Sequence, residues 1–137
     1  MELKGKKVAI LVEEIFNDLE FWYPYYRLKE AGAKVVVVGS GSSQVFTGKS
    51  GSQVKPDTSA EKISVDDVDG VIIPGGYAPD HMRRYPAMVK VVRDLKDDLI
   101  HAGATFEDKE VVVDGTLITS RKPDDLPAFM KAVIAAL

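Results

Sequence analysis

The chain has 137 residues, a formal net charge of −3, 45% hydrophobic and 28% charged residues, which favours one ordinary globular domain with one core. It contains no cysteine and two histidines, which excludes disulfides, thiolate or histidine-rich metal sites and a cysteine nucleophile; no metal or cofactor is expected. No basic cluster exceeds Arg83-Arg84 and no apolar run reaches eighteen residues, so neither a nucleic acid nor a membrane is an expected partner.

In chain order, basic residues followed by the apolar run Lys6–Val12 give a faint likeness to a secretory leader. The run is short and leads into "EEIFND", so it reads as a buried first strand of a cytoplasmic protein. Asn17 is a candidate cap for a helix with apolar residues at Leu19, Trp22, Tyr26 and Leu28 that closes at Gly32, and Pro24 predicts a kink or a delayed start. Lys34–Gly39 reads as a second buried strand, completing a βαβ unit. The small, polar stretch from Ser40 to Asp67 suits a surface excursion with extended pieces around Val45-Phe46 and Gln53-Val54. "DGVIIPGG" is a third buried strand stopped by Pro74-Gly75-Gly76. Met88, Val92, Leu95, Leu99 and Ala102 keep a helical spacing between Pro86 and Gly103, predicting one helix from about 87 to about 102. Two β-rich runs around Asp114-Gly115 predict a hairpin over 110–119, and "DDLPAFMKAVIAAL" a closing amphipathic helix. Strands near 6–12, 34–38 and 70–73 should form a parallel core that the hairpin extends. "TLITS" (Thr116–Ser120) should close the sheet against Val71–Ile73, unless another subunit does so.

Four segments, "NDLEFWYPYYRLKEAGAKV", "VIIPGGYAPDHMRRYP", "KDDLIHAGATF" and "EVVVDGTLITSRKPDDLPAF", together resemble the ThiJ/PfpI family of intracellular proteases and amidases, over nearly the whole chain and in the family's order. The resemblance implies an α/β fold: a flavodoxin-like three-layer sandwich with a reduced, mostly parallel sheet and a C-terminal β-hairpin, related to class I glutamine amidotransferase domains. It also implies residue roles. Glu20 matches the glutamate that hydrogen-bonds the nucleophilic cysteine, Gly75 and Gly76 match the backbone N–H site facing that cysteine, and Asp80 matches an acid that reaches a neighbouring subunit's histidine in hexameric members. Between "VVRDL" and "KDDLIHAG" the family carries a nucleophile elbow, a helix and a short strand, about one βαβ unit in length. This chain has none of it, so residues 1–137 read as a single ThiJ/PfpI-like domain truncated internally near 95–96, with its catalytic positions vestigial.

Each position also has a plainer account. Gly75-Gly76 serves equally well as a tight turn needing positive φ, and Glu20 as a surface helix carboxylate. Asp80-His81 reads as a solvated pair, and His101 as a cation favoured at a helix C-terminus. Ser40, Ser42 and Ser43 form no nucleophile elbow or phosphate loop. Phe21, Trp22, Tyr23, Tyr25 and Tyr26 are too dense for one buried stripe, which points to a homo-oligomer using Phe21–Tyr26 or Asp80–Arg84. The expected function is a non-catalytic scaffold or binding remnant. The alternative is a cysteine-dependent protease or glyoxalase/deglycase, acting on a peptide or a small carbonyl compound only if the absent segment exists.

Overall fold

The computed structural model describes residues 1–94 and 108–137. Strand β1 (Lys7–Val12) is apolar from Val8 onward and buried over that whole stretch. Such a strand needs cover on both faces and a partner on each edge, and β1 takes the inner place in a parallel sheet. The sheet has four strands in the order β5-β2-β1-β6, with β2 at Lys34–Gly39, β5 at Thr58–Ser59 and β6 at Gly70–Ile72. Val8 lies opposite Val35 on one side and Gly70 on the other, so the three main strands rise together and end at one edge.

Helix α1 (Asp18–Glu30) connects β1 to β2. Asn17 caps it, its side-chain oxygen accepting from Glu20 N at 3.1 Å, with Asp18 and Glu20 in the first turn and Arg27 and Lys29 in the last, as the helix dipole favours. Pro24 lies inside the helix, which starts on time; the proline cannot donate to the Glu20 carbonyl one turn back, but its ring is buried with Phe21 and Leu28. The buried stripe is therefore Phe21, Pro24 and Leu28; of the expected Leu19, Trp22, Tyr26 and Leu28, Leu28 is buried and Trp22 half-buried, while Leu19 and Tyr26 are 61% and 62% exposed. Residues two apart stand about 200° apart around a helix, and apolar residues on both sides of α1 fit a helical period in either phase.

The polar stretch folds back on the start of α1. Strands β3 (Phe46–Thr47) and β4 (Gln53–Val54) pair antiparallel. Asp18 fastens their loop, accepting from Ser50 N at 2.7 Å, from Ser52 N at 3.0 Å and from the Ser52 hydroxyl. Trp22 Nε1 donates to Ser52 Oγ at 2.9 Å. β5 joins the sheet as an edge strand beside β2, a pairing its two residues did not announce.

After β6 come helices α2 (Ala78–Met82) and α3 (Pro86–Asp94), the latter anchored by buried Met88 and Val91. The rest of the helix expected to reach residue 102, including the join near 95–96 and His101, lies outside the described residues. Strands β7 (Val112–Asp114) and β8 (Leu117–Thr119) form the expected hairpin, with Asp114 opposite Leu117 and Gly115 at φ +57 in the two-residue turn. The hairpin does not extend the parallel sheet, and β8 does not pair with Val71–Ile73. Its position is set from elsewhere. Helix α4 (Leu126–Ala136) packs on β8 and on α1. Arg121 forks onto the buried Asp125 carboxylate at 2.9 and 3.1 Å and holds Asp108 at 2.6 Å, tying the end of β8 to the head of α4. A cleft separates β8 from β6.

Candidate functional site

The loops that leave β1 and β6 meet at the carboxyl edge of the sheet. Asn17 N donates to Gly75 O at 2.9 Å and Tyr77 N to Ile15 O at 3.0 Å, which makes Phe16 and Gly76 an antiparallel bridge. The fit is close. Ile15 sits at φ +58, the one positive value at a non-glycine among the described residues, and Gly76 at φ +85. A Cβ on Gly76 would lie 2.7 Å from Ile15 O and 2.8 Å from Asn17 N, so backbone on the facing loop forbids a side chain there.

Glu20, in the first turn of α1, is half-buried and reaches this turn from below its cap. Its Oε1 accepts from Gly75 N at 3.0 Å, and a Cβ on Gly75 would stand 2.6 Å from the same oxygen. The structure thus brings together Glu20, Gly75 and Gly76. It does not add Asp80, which is exposed on α2 with its carboxylate on Arg83. His81, half-buried beside it, is in the same short helix.

This arrangement limits the chemistry. An oxyanion needs convergent free N–H donors. Here the Gly75 N–H is engaged by a carboxylate, and a second negative charge alongside would be repelled. Gly76 N–H has no partner among the described residues, because the bridge pairs the residues on either side of it. Among the described residues no three histidine or acidic side chains converge as a metal site would need.

Two carboxylates escaped the sequence reasoning. Glu13, directly after β1, is 2% exposed and accepts from Glu14 N at 3.0 Å and from the Ser42 hydroxyl at 3.3 Å, while Ser40 Oγ donates to Ser42 Oγ at 2.8 Å. An acid directly following a wholly apolar run was the available signal. The second is Asp18. Burial pushes its carboxyl up, but the Ser52 hydroxyl and the Ser50 and Ser52 amides outweigh it and hold it below the usual 3.8.

Glu20, Gly75 and Gly76 also line the cleft between β6 and β8, which has a volume of about 910 Å³. Val71 and Ile73 face it from the β6 side, Leu117 and Ile118 from the hairpin, Phe129 and Val133 from α4.

The profile of the DJ-1/PfpI family matches this sequence in two stretches, residues 6–98 and 93–136. An uncharacterised protein of Archaeoglobus fulgidus is 40% identical over 165 aligned positions, which cover 96% of this chain and 98% of that one. A Pyrococcus furiosus protein named deglycase PfpI is 32% identical, again over 165 positions covering 96% and 99% of the two chains. Since 96% of 137 residues is about 132, about 33 of those positions face no residue of this chain. Among solved structures, a two-domain protein of Anabaena variabilis with DJ-1/ThiJ/PfpI-like and ferritin-like domains is 35% identical with a TM-score of 0.87. The match covers 96% of this chain and 48%, about half, of that longer one.

Proposed function

This chain belongs to the DJ-1/PfpI family and has its flavodoxin-like α/β fold with a C-terminal antiparallel strand pair, and from that premise we propose that it is a non-catalytic scaffold or binding module that has lost the family's nucleophile segment. The observation that carries this is the absence of cysteine from all 137 residues. Without an activated nucleophile the covalent route is closed, and binding and hydrogen-bonding effects alone remain. The deletion is supported by the relatives' unmatched positions, about 33 in number, and by the two profile matches meeting at 93–98. Glu20, Gly75 and Gly76 are then vestiges of a catalytic pocket, with Glu20 occupying the donor that substrate oxygen would have used. Asp80 is a vestige of a contact between subunits. The protein acts in the cytoplasm as a homo-oligomer. Leu19, Tyr23 and Tyr26 present an apolar stripe on α1, which supports the assembly.

A second reading is favoured by the match across 99% of a protein named as a deglycase: a cysteine-dependent deglycase or protease whose natural chain includes the segment missing here. Two measurements separate them. Purified protein should consume no methylglyoxal and hydrolyse no peptide above the buffer rate; turnover that Glu20→Ala abolishes would overturn the non-catalytic role. The intact mass from the native source should be 15.0 kDa. A chain heavier by about 33 residues would establish the second reading.

A further inference from the structure

The segment 13–17, which leads from β1 into α1, lies between two other pieces of backbone. The β3–β4 hairpin holds it on one side. Ile15 N donates to Thr47 O at 2.9 Å, Lys49 N to Phe16 O at 2.8 Å, and Thr47 N to the Glu14 carboxylate at 3.2 Å. The glycine turn holds it on the other, where Tyr77 N donates to Ile15 O at 3.0 Å and Asn17 N to Gly75 O at 2.9 Å. Ile15 is bonded to both. In an extended strand the N–H and C=O of one residue face the same neighbour. At φ +58 the two groups diverge, so the Ile15 N–H meets the hairpin while its C=O meets the turn.

A left-handed backbone is unfavourable for a β-branched residue, whose stiff side chain crowds its own carbonyl there. The Ile15 side chain is 38% exposed, so burial gives it little in return. Such strain lasts only where the surroundings over-determine it, and here the two opposed hydrogen bonds do so. If Thr47 O withdraws, nothing on the hairpin side holds the Ile15 N–H. Ile15 then relaxes to negative φ, and its C=O turns away from Tyr77. We infer that Ile15 is a strained clamp through which the seating of the β3–β4 hairpin sets the closure of the Gly75–Gly76 turn. The element has two states. With the hairpin seated, Ile15 is left-handed and the bridge between Phe16 and Gly76 is closed, as in this structure. With the hairpin lifted, Ile15 is relaxed and the bridge is open. The hairpin offers a handle for this change, because residues 49–51 at its tip are exposed while Phe46 and Val54 anchor its base in the core. The clamp is made of backbone and does not depend on the proposed function.

The test is amide hydrogen exchange, read by NMR on the intact chain. Gly51, at the hairpin tip, has φ +95 and nothing within 4 Å of a built Cβ, so Gly51→Val strains the hairpin without touching the turn. The Tyr77 amide reports the clamp, and the amide of Leu11 in the buried β1 reports opening of the whole fold. Gly51→Val should raise the ratio of Tyr77 to Leu11 exchange about tenfold or more. In the Ile15→Gly background positive φ carries no strain, so the same substitution should raise the ratio less than about twofold. An unchanged ratio in the wild-type background, or an equal rise in both backgrounds, would overturn the inference. Should Gly51→Val not fold, Gly51→Ala places a milder strain on the same φ. It should raise the ratio about threefold with Ile15 present and leave it unchanged with glycine at that position, and equal effects would again refute the clamp.

Discussion

The two glycines after Pro74 look equivalent in sequence, but their neighbours separate them. At Gly76 a Cβ would meet backbone of the facing loop and φ is +85, so nothing can move aside. At Gly75 it would meet the tip of a flexible Glu20 side chain, which can turn away at the expense of one hydrogen bond. Gly76→Ala should therefore cost about 3 kcal/mol in urea unfolding. Gly75→Ala should cost only about 1 kcal/mol, and equal losses would contradict the geometry. Asp18 supplies the pH dependence at this scale. Its carboxyl is held below the ordinary 3.8 in the folded protein, so the unfolded chain binds the proton more readily. Its contribution is complete above the unfolded value and is lost as pH falls through the lower folded value. The stability gap between wild type and Asp18→Asn should be constant from about pH 7 to 5 and shrink below about pH 4. A gap that widens in acid would mean that the Ser50 and Ser52 donors do not favour the charged form.

Helix α1 shows two faces with opposite fates. Phe21, Pro24 and Leu28 are buried, while Leu19, Tyr23 and Tyr26, spaced by four and three, stand exposed on the other side. Trp22 and Tyr25 lie between them, stacked edge-on and half-buried. An exposed stripe of this kind is expensive to leave in water. The wild-type protein should sediment as a dimer or larger, and the double substitution Leu19→Lys, Tyr26→Lys should give a folded monomer with unchanged helix content. A stable wild-type monomer at high concentration would remove the proposed assembly. Phe21, which the sequence grouped with that surface, is fully buried and takes no part. The C-terminal hairpin is the second element whose fate was decided by its surroundings. Its turn chemistry makes it fold on itself, and the Arg121–Asp125 pair fastens it to α4 and away from β6.

For the whole molecule, the consequence is a parallel sheet that, among the described residues, has a short strand on one edge and none beyond β6 on the other. β5 closes the β2 edge with two residues, a short and therefore poor template for further pairing. β6 has no such cover among the described residues and borders an apolar cleft.

What the sequence determined by itself is what local chemistry can determine. Val8–Val12 can only be a two-sided buried strand, Asn17 can only gain by capping α1, and Gly115 suits a primed turn without any long-range help. The Glu20, Gly75 and Gly76 grouping was legible through the resemblance, because those residues keep their order and spacing along the chain. Tertiary structure decided the remainder. Periodicity gave α1 two possible phases, and only packing against β1 and α4 chose Phe21 over Leu19. Hydrophobic pattern marks β8 as a strand without saying which edge it will join. That depended on Arg121 reaching Asp125 and on α4 covering the hairpin, interactions with no signature until the chain has closed on itself. The occupation of Gly75 N–H by Glu20 has the same origin, a contact between residues 55 apart that the fold alone brings within hydrogen-bonding reach.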